Sequence, residues 1–189
     1  MSCPRPRALG WTTSEWLREM RIRELQLEDL ATRVQWMNDP RVYGSMYFDV
    51  PIVMENTIRW FERIRGSATR SDVVFTDDED RIVGFGGLTS ISESPRMAEL
   101  YVFVNPASQQ RGLGTQATLL LCQWGFARLG LHKIYLLTNE DNAPAIGAYE
   151  KCGFRLEGRH RSEYLDTQGV LKDRLYFGLL RSEFGYGNV

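Results

Sequence analysis

A single mixed α/β sheet, mostly antiparallel and twisted, with helices flanking it, is the fold class that this sequence predicts. Three observations carry the prediction. Short alternating apolar runs separated by polar turns fill the middle of the chain. Amphipathic helical stretches precede and follow them. One strand–helix–strand unit lies in the second half, and such a unit implies a parallel pair joined by a right-handed crossover. With 189 residues, 43% of them hydrophobic and 25% charged, one domain can bury a useful core without disulfides or a structural metal.

The elements follow in order. Residues 1–19 read as an N-terminal extension, because Pro4 and Pro6 interrupt regular structure and the apolar pattern is poor. Residues 20–189 form the domain. Met20 opens an alternating run, Met-Arg-Ile-Arg-Glu-Leu, that predicts a strand. Leu27, Leu30, Ala31, Val34 and Met37 recur at helical spacing, and Asn38-Asp39-Pro40 stops that helix. Met54, Ile58, Phe61 and Ile64 mark a second helix. Asp72 to Thr76 and Arg81 to Leu88 form a hairpin around the acidic turn Asp77-Asp78-Glu79-Asp80.

Met97 to Val104 is the next strand. Ala98, Leu100, Val102 and Val104 point to one face; Met97, Glu99, Tyr101 and Phe103 point to the other. A glycine-containing turn leads into a helix with Ala117, Leu120, Leu121, Trp124 and Ala127 on one face, ended by Gly130. Lys133 to Thr138 is a strand, and Ala143 to Cys152 is a short helix with Gly153 just past its end. Two strands, near Phe154 to Tyr164 and Val170 to Leu180, close the chain around the turn Asp166-Thr167-Gln168-Gly169.

Composition excludes several classes. Lys and Arg number 23 against 24 Asp and Glu, for a net charge of −1, whereas a nucleic-acid coat is usually basic. No apolar run approaches the roughly 18–20 residues of a membrane span, and no apolar segment of a signal peptide follows the charged N-terminus. Cys3, Cys122 and Cys152 are too few and too widely spaced for a disulfide framework or paired metal site, and they read as idle thiols of a cytoplasmic protein. With His132 and His160 the only histidines, a His-rich metal site is out.

The segment that carries chemistry is Gln109-Gln110-Arg111-Gly112-Leu113-Gly114-Thr115, between a strand and a helix. Successive N–H groups in such a turn, with a helix N-terminus behind them, make an anion site, and glycines let a phosphate approach the backbone. A plain tight turn is the bland alternative. A Walker A loop would need a Lys that is absent. Gly112-x-Gly114-x-x-Ala117 fits the Rossmann fingerprint literally, but antiparallel hairpins precede it and Glu140 lies 28 positions on, not about 20.

The pattern Q/R-x-x-G-x-G/A at Gln109–Gly114 resembles the pyrophosphate loop of the GNAT N-acetyltransferase family. A second signature of that family, an Asn, then a Tyr, then Gly-Phe, is matched by Asn142, Tyr149 and Gly153-Phe154. The likeness spans roughly residues 20–180. It is nearest the branch of ribosomal-protein, spermidine and amino-sugar acetyltransferases, with Asn38-Asp39-Pro40 and Asp173-x-x-x-Phe177-Gly178-Leu179-Leu180 as supporting features.

The resemblance implies acetyl-CoA as co-substrate and no metal. The donor-binding set it implies is Tyr101, Phe103, Val104, Gln109, Gln110, Arg111, Gly112, Leu113, Gly114, Thr115, Asn139, Asn142, Ala145 and Tyr149. The pantetheine arm would run between splayed strands 97–104 and 133–138. A backbone N–H of Phe103 or Val104, after a bulge, would polarise the thioester. Asn142 could equally cap its helix. Tyr149 matches the family's general acid, protonating the leaving thiolate, with a core aromatic as the bland alternative. Glu99 is the candidate base, because an amine must lose a proton to attack and a carboxylate in a core strand is costly unless it is paired or functional. A salt-bridged or edge Glu is the alternative there.

The acceptor is expected between the first two helices and the last two strands. Trp36, Asp39, Tyr43, Tyr47 and Glu93, with Trp60, would line it, since aromatic and acidic groups suit a cationic amine. The reading is an N-acetyltransferase acting on a small primary amine: an amino-sugar nucleotide, a polyamine or an aminated antibiotic. Alternatives are acetylation of a protein N-terminus or lysine, and a non-catalytic acyl-CoA-binding module. No nucleic acid or membrane partner is expected, and the resemblance leaves a homodimer open.

Overall fold

The computed structural model describes residues 20–46, 48–108, 112–166 and 168–185. Its frame is a seven-stranded sheet in the order β1-β2-β3-β4-β5-β7-β6. The strands are β1 (Arg21–Glu24), β2 (Ser71–Thr76), β3 (Ile82–Thr89), β4 (Met97–Val104), β5 (Lys133–Asn139), β6 (Arg155–Leu165) and β7 (Leu171–Leu180). Only β4 and β5 pair in parallel; the other neighbours are antiparallel. The helices are α1 (Leu30–Met37), α2 (Pro40–Tyr43), α3 (Met54–Ile64), α4 (Leu113–Ala127) and α5 (Ala143–Lys151).

Two apolar clusters, one on each face of the sheet, hold these elements together. Leu121, Phe126 and Ala117 of α4 meet Leu100, Ile134 and Phe177 on one face. On the other, Leu30 and Trp36 of α1 and Phe61 of α3 meet Val74, Phe85 and Phe103. The strict alternation of β4 divides its side chains between the two, with Ala98 and Leu100 in the first cluster and Phe103 in the second. Each fully buried Leu or Phe contributes about 1.5–3 kcal/mol by leaving water. Gly125 lets α4 lie close on the sheet: a Cβ there would sit 2.8 Å from Leu88 and 2.9 Å from Ile134.

The parallel pair is short. β4 and β5 pair only at Met97↔Lys133, Ala98↔Ile134 and Glu99↔Tyr135. Beyond Glu99 the two strands run on without pairing, so the sheet opens into a wedge between the end of β4 and the end of β5. The expected splay is therefore present. The expected bulge in β4 is not, because its register with β3 is continuous from Glu99 to Val104. A register shift lies instead between Phe75 and Thr76 of β2.

The helix boundaries differ in informative ways. Asn38-Asp39-Pro40 stops α1 and then starts the one-turn α2, because Asp39 accepts the Arg41 N–H and Pro40 needs no helical donor. The buried stripe of α1 is Leu30, Arg33 and Trp36, and Ala31 is exposed. On α4 the buried arc is wider than one stripe, and Ala127 faces solvent. Asp173 pins an irregularity in the β6–β7 hairpin by accepting the Ser162 N–H at 2.9 Å and an Arg159 N–H at 2.8 Å.

Candidate active site

On the α4 side, the chain leaves β4 and enters α4 through Gly112, whose φ of 77° is left-handed and therefore favours glycine. Gly112 has no side chain to cap the helix, and the first helical hydrogen bond is Gln116 N–H to Gly112 O at 3.1 Å. The N–H groups of Leu113, Gly114 and Thr115 thus precede the ladder, at the positive end of a 15-residue helix. Gln109, Gln110 and Arg111 lie outside the described residues, as does Tyr47.

The open end of β5 faces the same wedge. Asn139 is buried, and its Oδ1 has no hydrogen-bond partner among the described residues. Asn142 caps α5 by accepting the Ala145 N–H at 3.3 Å. That engages the Asn142 Oδ1 locally and leaves its amide nitrogen without a hydrogen bond among the described residues. The Tyr149 ring packs against the α4-side cluster, 6.0 Å from Phe154 and 6.4 Å from Phe177. Phe177 pairs with Leu136, the residue next to Tyr135, the partner of Glu99. Tyr149 and Glu99 therefore sit on opposite faces of the sheet, both beside the apex of the wedge.

Glu99 lines a cavity of about 660 Å³ on the α1 and α3 face. It has no ion pair or hydrogen bond through its carboxylate among the described residues. Its charge is felt by Tyr135, whose hydroxyl pKa is raised by burial and then by Glu99. Tyr176, stacked on Tyr135 at 5.2 Å, is pushed up to about 12 by burial first, with Glu157, Tyr135 and Glu99 adding to it.

The rest of the cavity comes from α1, α3, Arg70, β4 and, between α2 and α3, from Met46, Phe48, Asp49 and residues 51–53. Asn38 holds that segment. Its amide nitrogen donates to Val34 O and Ile52 O, and its Oδ1 accepts the Ile52 N–H at 2.8 Å. Trp60, Tyr101 and Phe103 line the wall. The last two strands, where one wall of the acceptor site was expected, contribute no lining residue among the described residues.

Several expected wall residues are elsewhere. Trp36 is buried and meets Phe85 edge-on at 5.4 Å. Asp39 is the cap of α2, and Arg41 holds its carboxyl down at about 2 by side-chain and then backbone hydrogen bonds. Tyr43 and Glu93 are not part of the lining either. Tyr101 and Phe103, expected on the donor side, line the cavity that Glu99 also lines, because odd-numbered β4 residues face α1 and α3. Val104, also expected on the donor side, is half-buried opposite Gly84 at the end of β4.

Three charged residues were missed. Arg70 grips Asp72 with Nε–Oδ2 2.6 Å and Nη2–Oδ1 3.0 Å, and the Tyr101 hydroxyl donates to the same carboxylate. Burial pushes Tyr101 up to about 12, and Asp72 adds to the effect against Arg33 and Arg70. Arg33 lies 5% exposed among four rings. Its sequence signal was its place three after Leu30 and four before Met37, inside the packed stripe.

Comparisons with known proteins fit this arrangement. Residues 19–155 match the family model described as Acetyltransferase (GNAT) domain. Spermidine N(1)-acetyltransferase of Escherichia coli (strain K12) is 32% identical over 147 residues, covering 77% of each chain. The crystal structure of spermidine N-acetyltransferase from Vibrio cholerae in complex with CoA and spermine superposes with a TM-score of 0.84 at 23% identity, over 88% of this chain and 98% of that one. A dodecameric structure of the Vibrio cholerae enzyme in an intermediate state gives 0.78 at 24% identity, over 88% and 96%.

Proposed function

This chain belongs to the GNAT acetyltransferase family, and on that premise we propose that it transfers an acetyl group directly from acetyl-CoA to the primary amine of a small molecule. N-acetyl transfer is its reaction class. The observation that carries the proposal is the wedge between β4 and β5, which opens right after Glu99 and Tyr135 with Tyr149 and Glu99 flanking its apex. A thioester held in the wedge would be reached by an amine from the cavity and by a phenol from the other face.

The donor's fit rests on three features. The N–H groups at Leu113–Thr115 suit a pyrophosphate. The unpaired edge of β4 suits the amides of a pantetheine arm. The orphaned Asn139 Oδ1 suits an amide N–H, since a buried acceptor without a donor is costly. Asn142 would add its amide nitrogen.

In the proposed reaction the amine nitrogen attacks the acetyl carbonyl carbon, and the carbon–sulfur bond then breaks. Glu99 takes the proton that the ammonium must lose, directly or through water. Tyr149 gives its hydroxyl proton to the departing sulfur, and the second proton, which the nitrogen sheds as it becomes the amide, returns to the phenolate through solvent. Neither described cysteine suits a covalent route. Burial pushes Cys152 up to about 12 and Cys122 well above its ordinary value, so neither is a thiolate at neutral pH.

Residues 20–189 would form the catalytic domain of a cytoplasmic homo-oligomer, with no metal in the chemistry. Among the described residues no helix is long and apolar enough to cross a membrane. The acceptor classes to test are polyamines, amino-sugar nucleotides and aminated antibiotics, with N-terminal peptides as a control. Thiol release from acetyl-CoA that depends on one class names the acceptor. No release together with no acetyl-CoA binding by calorimetry overturns the proposal.

A further inference from the structure

The acceptor cavity holds a cation, Arg33, that makes no ion pair among the described residues. Arg33 is 5% exposed and lines the cavity, and its Nη1 is buried without a hydrogen-bond partner among the described residues. Its guanidinium carbon lies 5.0 Å from the Trp60 ring centroid, 5.3 Å from Phe103, 5.7 Å from Tyr101 and 5.8 Å from Phe85. Those rings attract the cation through their faces but offer no acceptor to its N–H groups.

Two of the nearby carboxylates are committed to other arginines. Asp72 is gripped by Arg70 through two hydrogen bonds and also accepts from Tyr101. Asp29, on the turn before α1, is gripped by Arg23 at 2.7 and 2.8 Å. Asp49 and Glu99 lie on the cavity wall, and neither makes an ion pair with Arg33 among the described residues. A lysine in this position could shed its proton, whereas arginine cannot. The buried charge is therefore permanent, and an uncompensated buried charge is costly.

We infer that the acceptor amine also carries an oxyanion, a carboxylate or a phosphate, and that Arg33 binds it. The inference rests on the reading of this cavity as the acceptor site. A guanidinium offers a planar fork that matches either group. The rings that would cage an ammonium are already stacked on guanidiniums: Trp60 faces Arg33 at 5.0 Å and Arg70 at 5.1 Å, and Tyr101 faces the same pair at 5.7 and 5.9 Å. A polyamine brings only further positive charge to this wall. An amino-sugar nucleotide brings the phosphate that the wall lacks.

Matched acceptors test this by thiol release: ornithine against putrescine for a carboxylate, glucosamine 6-phosphate against glucosamine for a phosphate, and spermidine as the polycation. The oxyanion-bearing member of at least one pair should exceed its partner in kcat/KM by roughly ten- to a hundredfold, mostly through KM. The pair that responds names the anion. In Arg33→Met the ratio should collapse to within about threefold, and Arg33→Lys, which keeps the charge without the fork, should retain part of it. If Arg33→Met does not fold, the wild-type ratios and Arg33→Lys decide. Preference for spermidine or putrescine, or a ratio that survives in Arg33→Met, overturns the inference and leaves N-acetyl transfer standing. No turnover of any of these amines also overturns it, and the functional reading itself falls only if acetyl-CoA fails to bind as well.

Discussion

In the proposed reaction the two faces of the sheet would meet their ligands with different parts of the chain. The α4 and α5 face is largely apolar, and its polar groups are the N–H groups at the start of α4, the unpaired edge of β4, and the Asn139 and Asn142 side chains at the end of β5 and the start of α5. The α1 and α3 face packs aromatic rings around charges, the buried Arg33 and Asp72 and the half-buried Arg70 and Glu99, within or beside one cavity. Main-chain recognition tolerates side-chain change and suits a ligand common to a whole family. Side-chain recognition is easily rewritten and suits the ligand that distinguishes one member from another.

Substitutions on one face should leave the other face's ligand untouched. The largest effect is expected at Tyr149. Tyr149→Phe should lower kcat by about 10²–10³-fold while acetyl-CoA affinity, measured by calorimetry, stays within about twofold. An unchanged kcat would remove Tyr149 as the acid. Glu99→Gln comes next, with kcat/KM for the acceptor down by about 10²-fold and an altered pH–rate profile. A wild-type profile in this variant would leave water as the base.

Gly112→Val should weaken acetyl-CoA binding by about tenfold, because a β-branched residue at left-handed φ costs roughly 1–2 kcal/mol. The acceptor KM at saturating donor should not move. Equal losses on both sides would mean that the faces are coupled.

Tyr101→Phe removes one donor from the buried Asp72 and should cost about 1–3 kcal/mol in urea unfolding. Its pH signature has a definite sign. With the folded pKa raised to about 12 against about 10 unfolded, the native state keeps a proton that the unfolded chain loses. The stability from this group is full below about pH 10 and is lost as pH rises toward 12. The variant should show a shallower alkaline decline than wild type, and an identical slope would refute it.

The smallest effect belongs to half-buried Asp39, whose carboxyl is held down at about 2 by Arg41. Asp39→Ala should be less stable at neutral pH. The difference should shrink as pH falls from about 4, the ordinary carboxylate value, to about 2, where wild type also loses the charge. A constant difference across that range would assign the effect to lost packing.

What could be read along the chain is what local geometry dictates. The alternation of β4 placed Glu99, Tyr101 and Phe103 on one face, because side chains in a strand have a period of two. Gly112 marked a glycine turn ahead of a helix, whose positive φ the structure supplied, and Asn142 marked a helix start. Asp39 looked like a pocket carboxylate and proved to be a cap, because its own backbone neighbours satisfy it. Trp36 looked like a wall residue and proved to be core, because the buried stripe of α1 is rotated toward Arg33.

The sequence by itself determined the order of the elements, the faces of the strands and the glycine turn ahead of α4. These follow from bonds and torsions within a few residues. Only the tertiary structure decided that Arg33 is buried, that Asp72 is committed to Arg70 and Tyr101, and that Asn38 holds residue 52 against α1 to shape the cavity. An arginine or an aspartate reads as solvated until another element covers it, and which element does so depends on contacts between segments distant along the chain.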